Sequence, residues 1–73
     1  MAKTRLSIHA TVAAQVAARR AAANLTQEQL AKFTGLSARR IRQVEQGANC
    51  TIDTLAYLAA ALRCEPADLL RSV

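Results

Sequence analysis

Apolar positions in this chain recur every three or four residues, and nowhere do they alternate. Ile8, Val12 and Val16 write a stripe at four-residue spacing, which is the period of one helix face. That spacing predicts a first helix over about residues 7–23, filled out by alanine, the residue with the highest helix propensity. Arg20 falls on the side of Val16, one turn on, an odd place for a charge unless a carboxylate meets it. Asn24 tolerates the left-handed backbone that ends a helix, and Leu25 then turns toward the core. Thr26 and Gln29 read as a capping box that opens a second helix over 26–34, with Leu30 and Ala31 inward. At Gly35 a left-handed backbone is cheap, and Ser37 offers an N-cap hydroxyl for a third helix over 38–46. This third helix buries Ile41 and Val44, turns Arg39, Arg40, Arg42 and Gln43 outward or sideways, and stops at Gly47. Thr51 caps a fourth helix over 52–62, whose expected inner face is Ile52, Leu55, Leu58, Ala59 and Leu62. Glu65 and Pro66 open a fifth over 66–71, since proline suits a first helical turn, with Leu69 and Leu70 as its anchors. No β-branched run suggests a strand. The expected fold is all-α, a five-helix bundle in a single domain over 7–73, preceded by a basic arm over 1–6.

Size and charge narrow the possibilities. The 73 residues allow one core, and a chain this short buries a smaller share of its surface than a larger domain. Ten Lys/Arg against five Asp/Glu give a net charge of +5. Such a surplus favours polyanions, nucleic acid before an anionic membrane surface. Eight of the ten cations are arginine, whose planar fork suits phosphates and guanine edges. No apolar run approaches the roughly 20 residues of a membrane span, and the opening MAKTRLS lacks the apolar segment of a secretory signal. A cytoplasmic protein is expected. Cys50 and Cys64 have no further cysteines or histidine cluster to make a metal site. Their number permits a disulfide, but an intracellular domain keeps thiols reduced. His9 stands alone and reads as a helix-surface residue. With no nucleophile–base constellation and no glycine-rich phosphate cradle, neither an enzyme nor a cofactor is expected.

The arginines are concentrated where they matter: a capped, basic, solvent-facing helix propped against another is what the DNA major groove accommodates. The residues Leu25-Thr26-Gln27-Glu28, Leu30-Ala31, Gly35-Leu36-Ser37, Ile41, Val44-Glu45 and Gly47 occur in this order. Ile52, Leu55, Leu58-Ala59, Leu62 and Leu69-Leu70 continue the pattern. Over about residues 12–70 the chain thereby resembles the Cro/phage-repressor (XRE-like) helix-turn-helix family, with the lambda-repressor-like fold. The resemblance implies that the second and third helices form the helix-turn-helix. It also implies that Gln27 bonds a DNA phosphate and braces the recognition helix. Arg39 and Gln43 are then expected to read bases, with Ala38 offering only a methyl group to thymine. Ser37, Arg40 and Arg42 would contact phosphates, which position the helix without reading sequence. Arg20 and Glu45 match a pair that forms an interhelical salt bridge in some relatives.

Several positions depart from the family pattern. Asn24 and Arg63 stand where glycine is common. Phe33 replaces a charged residue, so half exposure is expected. Cys64 occupies a small apolar position, which favours a buried thiol. Residues 47–50 hold no lysine or arginine, so Asn49, Thr51 and the N–H groups opening the fourth helix would grip the backbone there. Tyr57, Pro66, Leu69 and Leu70 are the expected dimer surface, and relatives often dimerise through this region. The resemblance therefore implies a bacterial or phage-encoded, nucleoid-associated homodimer that represses transcription near its own promoter at a pseudo-palindromic operator. A restriction–modification controller or an antitoxin subunit of the same fold is the alternative. An interaction module that keeps the fold without binding DNA is the alternative of another class.

Overall fold

The computed structural model describes residues 8–71. The expected arm over residues 1–6, and Ser7, lie outside the described residues. Four α-helices follow one another: α1 (Ile8–Ala22), α2 (Gln27–Thr34), α3 (Ala38–Glu45) and α4 (Ile52–Ala61). The expected fifth helix is instead a 3-10 helix over Pro66–Leu70. Five residues are too few to propagate an α-helix. The segment closes with a three-residue bond, the Asp68 N–H donating to the Glu65 carbonyl at 2.9 Å. The Glu65 N–H in turn donates to Asp68 Oδ2 at 2.9 Å, which fixes the start of the turn.

Each helix stops for a local reason. At the end of α1, Leu25 N–H donates to Arg20 O at 3.1 Å and Asn24 N–H to Ala21 O at 2.9 Å. This is the Schellman arrangement, and it needs a left-handed residue at its corner. Asn24 supplies it with φ 60°. The same two bonds recur after α3, from Ala48 to Gln43 and from Gly47 to Val44, and after α4, from Cys64 to Ala59 and from Arg63 to Ala60. Arg63 takes its corner at φ 60° although it has a Cβ.

The core draws on every element. Val12 and Val16 of α1, Leu30 and Ala31 of α2, Ile41 and Val44 of α3, Leu58 and Ala59 of α4, and Leu69 of the 3-10 helix are buried together. Burying each large side chain contributes about 2 kcal/mol. α1 packs on α3 and on the 3-10 helix, α2 on α3 and α4. Leu25, Leu36, Leu55, Leu62 and Cys64 pack half-buried around this centre.

Two apolar residues expected inside are not. Ile52 is 83% exposed. It opens α4 on the Leu55 edge of the inner stripe, and Thr54 is the buried residue of that turn instead. Leu70 is 43% exposed while its neighbour Leu69 is fully buried, because a 3-10 turn points successive side chains in different directions. Phe33 is 67% exposed, more than the half expected.

Gln15 went unnoticed in the sequence and is buried. Its Nε2 donates to the Arg71 carbonyl at 3.0 Å, and its Oε1 accepts from Arg19 Nε at 3.1 Å. Both polar atoms are thus satisfied, as burial requires. The amide fastens the chain after the 3-10 helix to the middle of α1. Residue 15 lies three after Val12 and one before Val16, so the stripe itself could have flagged it.

Candidate functional site

The turn between α2 and α3 is built from its own side chains. Thr26 accepts from Gln29 N–H at 3.0 Å while Gln29 Oε1 accepts from Thr26 N–H at 2.8 Å, so both halves of the capping box are present. α2 ends at Gly35, φ 79°, whose N–H donates to Ala31 O at 2.9 Å. Thr34 Oγ1 then accepts from Leu36 N–H at 3.1 Å, and Leu36 turns toward the core. Ser37 stands in extended backbone and its Oγ accepts from Arg40 N–H at 3.0 Å. This starts α3 at a defined angle to α2.

The far end of α3 is held by charge. Arg20 Nε donates to Glu45 Oε2 at 2.6 Å and Nη2 to Oε1 at 3.1 Å, while Nη1 donates to the Leu25 carbonyl at 2.7 Å. The hydrogen bond to Glu45 raises the Arg20 pKa above its ordinary value against the opposing effect of burial. The Glu45 side chain is only 8% exposed, so its charge is matched where water is scarce. Gln27 Nε2 adds a third donor to Glu45, at 3.1 Å from Oε1. An amide nitrogen carries two N–H groups, and this bond engages one. α1, α2 and α3 meet at a single carboxylate.

Between these anchors α3 shows one basic face. Ile41 and Val44 are buried, and helical periodicity places Arg39 opposite them, with Arg42 and Gln43 on either side. Arg39 and Arg42 are exposed and Gln43 is half-buried. Ala38 lies at the flank, half-buried against the core, which leaves only an edge of its methyl outside. Arg40 occupies the other flank, where its Nη2 donates to the Asn49 carbonyl at 2.8 Å. Thr51 caps α4 by accepting from Thr54 N–H at 3.1 Å, and its hydroxyl donates to Thr54 Oγ1 at 3.1 Å. Its side-chain proton is therefore engaged within the fold.

The residues expected at a dimer surface are scattered. Leu69 is fully buried and so cannot form a surface, which corrects that expectation. Tyr57 is 53% exposed but lies apart from an apolar groove that Leu70 enters. That groove, about 200 Å³, is lined by Ile8, Val12, Cys50, Ile52, Leu55 and Leu70 among others. Ile8 is 57% exposed, so three aliphatic side chains from three elements crowd its rim. Pro66 is exposed and outside it. Cys50 and Cys64 are free thiols, and burial raises the pKa of both. Among the described residues no group of three or more His, Cys, Asp or Glu could hold a metal ion, and no helix is long and apolar enough to cross a membrane.

The helix-turn-helix family model matches residues 16–69. The chain is similar to the restriction-modification controller protein C.AhdI from Aeromonas hydrophila, with 32% identity, a TM-score of 0.80, and coverage of 84% of this chain and 94% of that one. It is also similar to two structures of the clp gene regulator ClgR from Corynebacterium glutamicum. Both are 25% identical over 86% of this chain, with TM-scores of 0.81 and 0.80 and coverage of 68% and 83% of theirs. No curated protein sequence matches significantly.

Proposed function

Since the chain belongs to the Cro/C1-type (XRE-like) helix-turn-helix family, we propose that it is a sequence-specific, homodimeric repressor that lays α3 in the major groove. Family membership carries the coarser statement, a DNA-binding transcription regulator. The observation that carries the finer one is the single face of Arg39, Arg42 and Gln43, set opposite Ile41 and Val44 on a helix pinned at both ends. Arg39 forks onto guanine O6 and N7, and Gln43 pairs with an adenine edge. The edge of the Ala38 methyl adds at most a contact to thymine. Arg40, Arg42, the Ser37 hydroxyl and the second N–H of Gln27 take phosphates, which set register. Asn49 and the N–H groups that open α4 stand nearby. No catalytic step belongs to this reading, and the protein acts on DNA in the cytoplasm.

Two copies meet through the groove of Ile8, Ile52 and Leu70. An exposed apolar patch on so small a domain favours self-association, and a two-fold axis makes one patch serve both subunits. The two α3 helices then stand about 34 Å apart, one turn of DNA.

The likeness to C.AhdI, named as a restriction-modification controller, favours a second reading in which this protein also controls such a system and activates as well as represses. The test common to both is fluorescence anisotropy of wild type and Arg39→Ala with the protein's own upstream DNA and a scrambled duplex, at low and high salt. Tight wild-type binding to the upstream DNA alone, lost in the variant, supports base readout. Equal binding to both duplexes reduces the role to phosphate attraction. Absence of binding at low salt leaves an interaction module.

A further inference from the structure

At the end of α4 remote from Ile52 lies a second apolar groove, about 490 Å³. Leu25, Phe33, Ala60, Ala61, Leu62 and Arg63 line it, so it gathers the link before α2, the last turn of α2 and the end of α4. It shares no lining residue with the groove of Ile8, Ile52 and Leu70, and no residue of α3 lines it. Phe33 is 67% exposed, although burying such a side chain contributes about 2 kcal/mol. An aromatic ring left in water beside small alanine side chains marks a contact surface. Arg63 is the charged residue among those that line the groove. It stands at a left-handed corner, φ 60°, and backbone strain of this kind gathers at binding sites. Its N–H donates to the Ala60 carbonyl at 3.2 Å, which fixes the corner. Its guanidinium forms no ion pair or hydrogen bond among the described residues. Lys32, next to Phe33 in the last turn of α2, is exposed and equally unpaired among them.

We propose that this groove docks an acidic segment of a partner protein, which lays a large apolar side chain against Phe33 and sets a carboxylate on Arg63. The charges select that occupant. Arg63 offers its planar donors to a carboxylate as a bidentate pair, and a chain of net charge +5 attracts an acidic partner. A second copy is disfavoured, because a two-fold contact here would bring one basic rim against the other. Phe33, Ala60 and Arg63 are exposed, so the groove is open to solvent and suits a peptide segment better than an enclosed small molecule. Aromatic and arginine side chains are also the ones that carry most of the energy at protein interfaces. This goes beyond the DNA-binding reading. Since α3 takes no part in the groove, the partner and DNA can be held at once.

The probe is a synthetic peptide, acetyl-Glu-Asp-Leu-Phe-Asp-Glu-amide, titrated into isotope-labelled full-length protein and followed by amide chemical shifts. A control peptide carries Ser-Ser in place of Leu-Phe and keeps every carboxylate. The first peptide is expected to shift the amides of Leu25, Phe33 and Ala60 to Arg63, and the control to leave them in place. Phe33→Ser should weaken the binding about tenfold with circular dichroism unchanged, because the ring is exposed. Arg63→Gly should weaken it several-fold while the fold becomes more stable, so that lost binding is not lost structure. Shifts confined to α3 overturn the proposal, since the peptide then only mimics DNA phosphates on Arg39 and Arg42. Equal binding of the control reduces the contact to diffuse charge and overturns it too, as does the absence of shifts at the groove. Sedimentation of wild type and Phe33→Ser tests the remaining occupant. Self-association lost in the variant would assign the groove to a second copy and overturn the partner. None of these outcomes bears on binding to DNA, which is measured separately.

Discussion

Arg20 clasps Glu45 with two parallel hydrogen bonds, 2.6 and 3.1 Å, and so joins the last turn of α1 to the last turn of α3. Removing either partner strands the other charge in a site where Glu45 is nearly excluded from water. Arg20→Met or Glu45→Leu alone should each cost about 2–3 kcal/mol, and the pair together distinctly less than their sum. Denaturant melts of the three variants measure this, and simple additivity would refute it. Glu45→Leu should also weaken DNA binding more than Arg20→Met at matched stability, because Gln27 loses its acceptor as well.

Ile52 is a hydrophobic residue in contact with water, so replacing it should cost the monomer little. Ile52→Glu is expected to leave helicity and melting nearly unchanged while weakening self-association about tenfold or more, through the charge set in an apolar contact. Sedimentation equilibrium over a concentration series reads both values. A wild type that stays monomeric at every concentration would discard this interface.

Arg63 occupies a left-handed corner that glycine adopts without penalty. Arg63→Gly should stabilise the fold by about 0.5–1 kcal/mol, once the greater freedom of glycine in the unfolded chain is deducted. Asn24→Gly should gain less, because asparagine tolerates this backbone. Equal gains at the two corners in thermal melts would contradict the steric account.

Burial raises the thiol pKa of Cys50 and Cys64, so the native state favours the neutral thiol. The associated stability is complete below the ordinary thiol pKa and is lost as pH rises through the higher native value. At neutral pH both cysteines should alkylate with iodoacetamide more slowly than a free thiol, and denaturant should abolish the difference. Native-state rates equal to those in denaturant would show that neither thiol is protected.

The elements most legible in the sequence are those whose cause is local. Thr26 with Gln29, Gly35 and Ser37 each satisfy a backbone group within four residues, and their hydrogen bonds are present. The outward face of α3 could likewise be placed from periodicity alone. What escaped depends on how far the core extends and on bonds that span the chain. Ile52 fits the α4 stripe by spacing, but in the first turn of α4 Thr54 is the buried residue and Ile52 stays exposed. The last five residues of the pattern have helical spacing without the length for an α-helix. The Arg40–Asn49 and Gln15–Arg71 bonds join a side chain to a main-chain carbonyl, and any residue has such a carbonyl. Residue type therefore marks only one end of each.

The Gln15–Arg71 bond sets where the autonomous folding unit ends. A chain cut after Leu70 would retain every apolar side chain of the core. It would nevertheless lose the acceptor of a buried amide, and an unsatisfied buried donor costs about 1–3 kcal/mol. The stable fragment thus extends to a carbonyl one residue beyond Leu70, the last apolar position among the described residues, and its boundary would be misplaced by anyone trimming the domain to its apolar core.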